Sequence, residues 1–242
     1  VGSYGRDTAA RGVSDLDVAF TLPSAIYHQY HAYQGNGQSA LLQAVKNSIA
    51  KTYPTSQLGG DGQVVVLSFT DGIIFEILPV FDNVSGTWTY PNSNNGGSWK
   101  ECNPRAEIKA VHDRNLQVNR NLKALCRMMR VWRDYNKVPI SGALIDTLAF
   151  QFVEWWPDRD KSYTYHDFMV RDFLKYLNDQ DGNQKHWRMP GSGSYVYRTG
   201  PFGYHAGIHY KNAVVACGYQ SDENARARRA AWRTVFGPNF PL

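Results

Sequence analysis

Asp15 and Asp17 stand one residue apart in DLDVAF, an otherwise apolar run that reads as a strand. Successive strand residues point to opposite faces, so the two carboxylates share one face. Like charges that close repel unless a cation lies between them. A third acid, Glu76, sits in the middle of IIFEILPVF, another strand-like run. A buried, unpaired carboxylate is costly, so Glu76 needs a partner or a cation. If its strand pairs beside DLDVAF, three carboxylates meet. Such a trio would hold two Mg²⁺ ions roughly 3.5–4 Å apart, with Mn²⁺ as an alternative. Hard oxygen ligands select these ions over zinc. Eleven residues separate Asp15 from Ser3. Gly2 lets backbone approach a phosphate, and the Ser3 hydroxyl and N–H can donate to it. The chemistry this set could do is nucleotidyl transfer. Plainer readings stand beside it: Asp15 and Asp17 as turn residues after Ser14, Glu76 on an exposed edge, and Ser3 as a turn serine.

The elements that must position these residues follow along the chain. NGQSALLQAVKNSIAKTYP reads as a helix with Leu41, Leu42, Val45 and Ile49 on one side. VVVLSFTDGIIFEILPVF reads as a hairpin about a Thr-Asp-Gly turn. TYPNSNNGGSWKECNP reads as a polar, glycine-rich loop. One long helix is expected from Asn103-Pro104 through residue 134, with Asn as N-cap and Pro first. Val118, Leu122, Leu125, Cys126, Met129 and Trp132 form its apolar stripe, while Lys123, Arg127 and Arg130 recur on another face. That charged face is either solvated or binds phosphate. Further helices are expected over about 141–155, 165–177 and 204–219, with MPGSGSYVYRTGPF as a loop. Strands and one helix come first and helices after, which indicates an α+β class. The expected division is a catalytic core over residues 1–100 and a helical lobe over 101–242.

The string GSYGRDTAARGVSDLDV resembles the DNA polymerase β-like nucleotidyltransferases, and within them the oligonucleotide synthetases. That branch holds 2′–5′ oligoadenylate synthase, cyclic GMP–AMP synthase and the bacterial CD-NTases. FEILPVF, WKECNP, LKALCRMMRVWRDYN and PISGALIDTLAF continue the resemblance through most of residues 1–155. HDFMVRDFLKYL and GSGSYVYR resemble the SMODS-type bacterial members. The resemblance implies a polymerase β-like lobe, a mixed sheet with helices, followed by a helical second lobe. It implies Asp15, Asp17 and Glu76 as catalytic metal ligands, with Glu76 in place of the commoner aspartate. It puts Gly2 and Ser3 on the triphosphate, Arg130 where the family has a phosphate-binding lysine, and Ser141 at the family's second serine. Arg133 is a rival cation, and Ser141 has helix N-cap as its plainer role. Gly142 stands where an aromatic often follows that serine. In the family a helix precedes Gly-Ser, so an upstream segment is expected before Val1.

The implied activity joins nucleoside triphosphates, ATP, GTP or others, into a cyclic or short linear oligonucleotide and releases pyrophosphate. The implied setting is anti-phage (CBASS-like) signalling, with the product read by an effector protein. Rival readings are transfer to a protein, tRNA or small-molecule acceptor, an inactive nucleotide sensor, and a nucleic-acid-binding module. The net charge of +5 suits anionic partners in each case and leaves a nucleic-acid activator open. Arg226, Arg228, Arg229 and Arg233 read most simply as a solvated basic helix. Three scattered cysteines without a CxxC argue against a disulfide framework or zinc and for a reducing cytoplasm. The apolar runs are too short to span a membrane. His28/His31 and His205/His209 lack the further ligands of a zinc motif. GSGSYVYR lacks the Lys-Ser/Thr of a Walker loop.

Overall fold

The computed structural model describes residues 1–10, 15–218 and 224–240. They form two compact units. One gathers Val1–Gly5 with the described residues up to 108. The other gathers the described residues among 6–11 with those from 109 on. The short segment after the Gly-Ser motif therefore packs with the helical unit, a placement that a division near residue 100 does not contain.

The first unit opens with a single helical turn, α1 (Gly2–Gly5), then β1 (Asp15–Thr21), α2 (Ser24–His31) and α3 (Gly37–Thr52). The strands β2 (Gln57–Asp61), β3 (Val64–Ser68), β4 (Ile74–Asp82), β5 (Trp88–Asn92) and β6 (Ser98–Cys102) follow. They run in the order β2-β3-β4-β5-β6, and β1 pairs parallel with β4. The β3–β4 hairpin turns where Thr-Asp-Gly was read, with Gly72 at φ 87° and the Asp71 carboxylate accepting from Ile73 N–H at 3.1 Å. Alternation decides what each face does. Phe20, Val65 and Ile77 face a core shared with Leu41, Leu42 and Val45 of α3. Their neighbours in sequence, the acids among them, face the other way.

The stretch read as a polar loop over 89–104 is a hairpin instead: β5 and β6 pair from Trp88↔Cys102 to Asn92↔Ser98. Its polarity concealed it because its side chains bond one another. Asn92 Nδ2 donates to Ser98 Oγ at 3.0 Å, and Gly96 and Gly97 make the turn at φ 86° and 97°.

The expected helix over 103–134 is two helices, α4 (Pro104–Gln117) and α5 (Asn121–Asn136). Its predicted start holds, since Asn103 Oδ1 accepts from Ala106 N–H at 3.0 Å. The break falls at Asn119 and Arg120, which adopt left-handed φ of 50° and 65°. Asn115 closes the corner, its carbonyl accepting from Arg120 N–H and its side chain from Lys123 N–H. Asparagine tolerates this conformation, and local side-chain bonds compete with the helix ladder.

The helical unit continues with α6 (Gly142–Trp155), α7 (His166–Asn178), the small hairpin β7 (His186–Arg188) and β8 (Tyr195–Tyr197), α8 (Phe202–Gly218) and α9 (Ala225–Phe236). The stripe read on α5 is buried throughout, from Leu122 to Trp132, with Leu144, Leu148, Phe173 and Phe202 around it. Part of the expected loop over 189–202 is strand β8. Among the described residues, no helix is long and apolar enough to cross a membrane.

Candidate active site

The parallel register between β1 and β4 sets Asp17 directly opposite Glu76, and Asp15 opposite Ile74. Directly paired residues share a face, so Asp15, Asp17 and Glu76 form one patch on the side away from the α3 core. Across β4 the same row reaches Val66 of β3 and then Gly59 of β2. Asp15 is exposed, and Asp17 and Glu76 are half-buried. Partial burial pushes the Glu76 carboxyl above its ordinary value, and the negative charges of Asp17, Asp15 and Asp61 push it further. A divalent cation on this face would relieve the repulsion that raises Glu76. It is an open face, not a closed cage: among the described residues, no three Asp, Glu, His or Cys side chains are grouped tightly enough to hold an ion by themselves. The donor set is all carboxylate oxygen, which fits Mg²⁺ or Mn²⁺.

Gly2 is fixed by this patch. Its φ is +58°, and a Cβ there would overlap the Asp17 carboxylate. The one-turn helix bearing Gly2 and Ser3 thus lies against the side chain of Asp17. Gly5 N–H donates to Val1 carbonyl at 2.8 Å and closes that turn.

The remaining two candidates lie in the helical unit. Ser141 caps α6, its hydroxyl accepting from Leu144 N–H at 3.2 Å. That leaves its O–H as a donor. Arg130, expected on a charged face that is either solvated or binds phosphate, is buried instead. Its side chain is 2% exposed and grips Asp146 with two bonds, Nη1 to Oδ1 at 2.6 Å and Nη2 to Oδ2 at 2.9 Å. Nη2 also donates to Gly142 carbonyl at 3.1 Å. Arg6 Nε and Thr8 Oγ1 complete the carboxylate, each 2.9 Å from Oδ2. Burial alone would raise the Asp146 carboxyl; the hydrogen bonds and charges of Arg130 and Arg6 outweigh it and hold it below its usual range. A guanidinium so committed offers a phosphate little. Asp146 interrupts the apolar run GALIDTLAF, and the logic applied to Glu76 identifies it too: a lone acid in an apolar run needs a cation.

Arg133 is the better-placed cation. It is half-buried, donates by Nε to its neighbour Asp134 at 2.6 Å, and brings Nη1 close to Gly142. A Cβ on Gly142 would stand 3.0 Å from Arg130 Nη2 and 3.3 Å from Arg133 Nη1. Two guanidinium groups therefore occupy the space that a larger residue after Ser141 would take. Lys123 and Arg127 both pair with Asp7.

Comparison with known proteins bears on the fold and the family. The model of the SMODS family, the Second Messenger Oligonucleotide or Dinucleotide Synthetase domain, matches residues 1–115. A probable cyclic nucleotide synthase of Bacillus cereus (strain VD146), IK1_05630, is 22% identical over 99% of this chain and 81% of its own length. Among solved structures, E. coli MS115-1 CdnC with ATP superposes with a TM-score of 0.72 at 16% identity, over all of this chain and 83% of that one. Vibrio cholerae DncV, a cyclic AMP-GMP synthase captured with the linear intermediate pppA(3′,5′)pG, gives 0.77 at 12% identity, over all of this chain and 69% of that one. The chain is thus similar in fold to the polymerase β-like nucleotidyltransferases CdnC and DncV, and over residues 1–115 it matches the SMODS domain.

Proposed function

We propose that this nucleotidyltransferase joins nucleoside triphosphates into a cyclic or short linear oligonucleotide second messenger and releases pyrophosphate. The observation that carries the reading is the acid face: Asp17 in register with Glu76, Asp15 beside them, and Gly2 packed on Asp17. Asp15, Asp17 and Glu76, together with oxygens of the bound triphosphate, would hold Mg²⁺, which would supply charge neutralisation at the α-phosphate and a more acidic attacking hydroxyl. The ribose hydroxyl oxygen of one nucleotide bonds to the α-phosphorus of another, and the bond to pyrophosphate breaks. The hydroxyl proton passes to a carboxylate of the cluster. The α1 turn brings the Ser3 hydroxyl and backbone N–H groups to the triphosphate, where Gly2 permits close approach. Ser141, with Arg133 in place of the buried Arg130, supplies the nucleotide contacts of the helical unit. Positioning and charge stabilisation carry most of the rate in such a transfer. Residues 1–100 and 101–242 divide this work as catalytic core and nucleotide-binding lobe. The product would act in the cytoplasm on an effector protein in anti-phage defence of the CBASS kind.

The test incubates the protein with Mg²⁺ and labelled nucleoside triphosphates, singly and mixed, then phosphatase, and resolves products by chromatography and mass. A phosphatase-resistant oligonucleotide that disappears in Asp15→Ala/Asp17→Ala is expected. Label that appears only on an added protein, tRNA or small-molecule acceptor would replace this reading with its nearest rival.

A further inference from the structure

The β7–β8 hairpin turns an unusual face outward. Trp187 and Val196 are buried beneath it, while the cross-strand pairs His186↔Tyr197 and Arg188↔Tyr195 point to solvent. Tyr195 and Tyr197 are 47% and 61% exposed. The arrangement is held rather than loose. Arg188 Cζ lies 4.6 Å over the Tyr195 ring, with Nη2 donating to the Tyr195 hydroxyl at 2.8 Å. His186 meets the Tyr195 ring edge-on at 4.5 Å. Beneath the sheet, Arg198 stacks on Trp187 and Phe202 and donates to the carbonyls of Gln184 and Asp181. The hairpin's outer face presents aromatic planes interleaved with cations.

The hairpin's own charged side chains are cationic: Lys185 and Arg188 are exposed on or beside it with His186, and no aspartate or glutamate occurs in the sequence between Asp181 and Asp222. An anionic partner is favoured, and the two exposed rings select one with π faces. Single-stranded nucleic acid has both: a phosphate backbone for the cations and unpaired bases to stack on tyrosine. A duplex hides its bases and would meet only the charges. We propose that the outer face of the β7–β8 hairpin is a stacking platform for single-stranded nucleic acid, distinct from the acid face on β1 and β4.

The test is fluorescence anisotropy of the whole protein, without nucleotide triphosphates, against a labelled 20-nucleotide single-stranded RNA, the matching DNA strand and its duplex. Wild type is expected to bind a single strand more tightly than the duplex, with affinity falling as salt rises. Tyr195→Ala/Tyr197→Ala should weaken single-strand binding about tenfold or more, while Tyr195→Phe/Tyr197→Phe retains it. Both pairs are exposed, so thermal melting should stay near wild type. Tyr163→Ala, at a still more exposed tyrosine elsewhere, should change nothing. No single-strand binding at low salt overturns the proposal. So does binding that the alanine pair leaves intact, or a duplex preference carried by charge alone. These readouts do not depend on nucleotide synthesis, so failure here and failure of the proposed activity are separable.

Discussion

Replacing Asp146 by alanine should destabilise the helical unit more than any other single polar substitution in it. The carboxylate accepts from Arg130 twice, from Arg6 and from Thr8. The side chains of Asp146, Arg130 and Arg6 are 1%, 2% and 7% exposed. Asp146→Ala strips the buried Arg130 guanidinium of its bidentate counter-ion, which in comparable sites costs about 3–5 kcal/mol. A domain of ordinary stability has only about 5–15 kcal/mol in total. The midpoint of thermal unfolding should fall by roughly 6–20 °C at a few degrees per kcal/mol for a chain of this size. The assay is urea and thermal unfolding followed by circular dichroism, with intrinsic tryptophan fluorescence to separate the two units. Arg130→Met combined with Asp146→Leu should recover part of the loss, because removing both partners also removes the stranded charge. The pH dependence has a definite sign. The folded Asp146 carboxyl is held below its ordinary value of 3.8, so its contribution is complete above that pH and is lost as the pH falls through the folded value. Wild type should lose this contribution in acid, and Asp146→Ala should show a flatter profile there. A cost under about 1 kcal/mol for Asp146→Ala would falsify the buried-network argument.

Gly2→Ala forces a left-handed residue onto the Asp17 carboxylate, so nucleotide synthesis should fall at least about tenfold while the overall melting temperature moves little. Full activity in that variant would show that the α1 turn need not lie against Asp17. Arg133→Ala should raise the KM for nucleoside triphosphates by roughly tenfold, the size of one charge-assisted hydrogen bond, with stability preserved. Arg130→Ala should instead lower stability first; a KM effect in Arg130→Ala with unchanged melting would reverse the assignment. The cysteines should resist alkylation. Burial, with Glu107 and Glu101 nearby, pushes the Cys102 thiol up to about 11, and burial takes Cys217 to about 12. At pH 8 Cys102 should react with iodoacetamide roughly a hundredfold more slowly than free cysteine, since only the thiolate attacks; rapid labelling of the folded protein would contradict this.

What was legible in the sequence was whatever depended on local pattern or on an expensive burial. The one-residue spacing of Asp15 and Asp17 on a strand fixed their common face before any pairing was known, because strand side chains alternate. Glu76 announced itself as an acid in an apolar run, and the α5 stripe from Leu122 to Trp132 was visible as a helical period. Other features needed the tertiary structure. The β5–β6 hairpin is polar, so its pairing rests on side chains that satisfy each other across the strands. The break between α4 and α5 rests on two left-handed residues that no periodicity reveals. The alignment of Asp17 with Glu76 is a register, and register is a property of two strands together. Arg130 looked like one member of a charged stripe until Asp146, sixteen positions later, drew it inside. Sequence alone determined which residues carry charge and which face of their own element they occupy. Only the folded chain decided which charges are spent on one another and which remain for a substrate, because a carboxylate and a guanidinium neutralise each other only where packing brings them together.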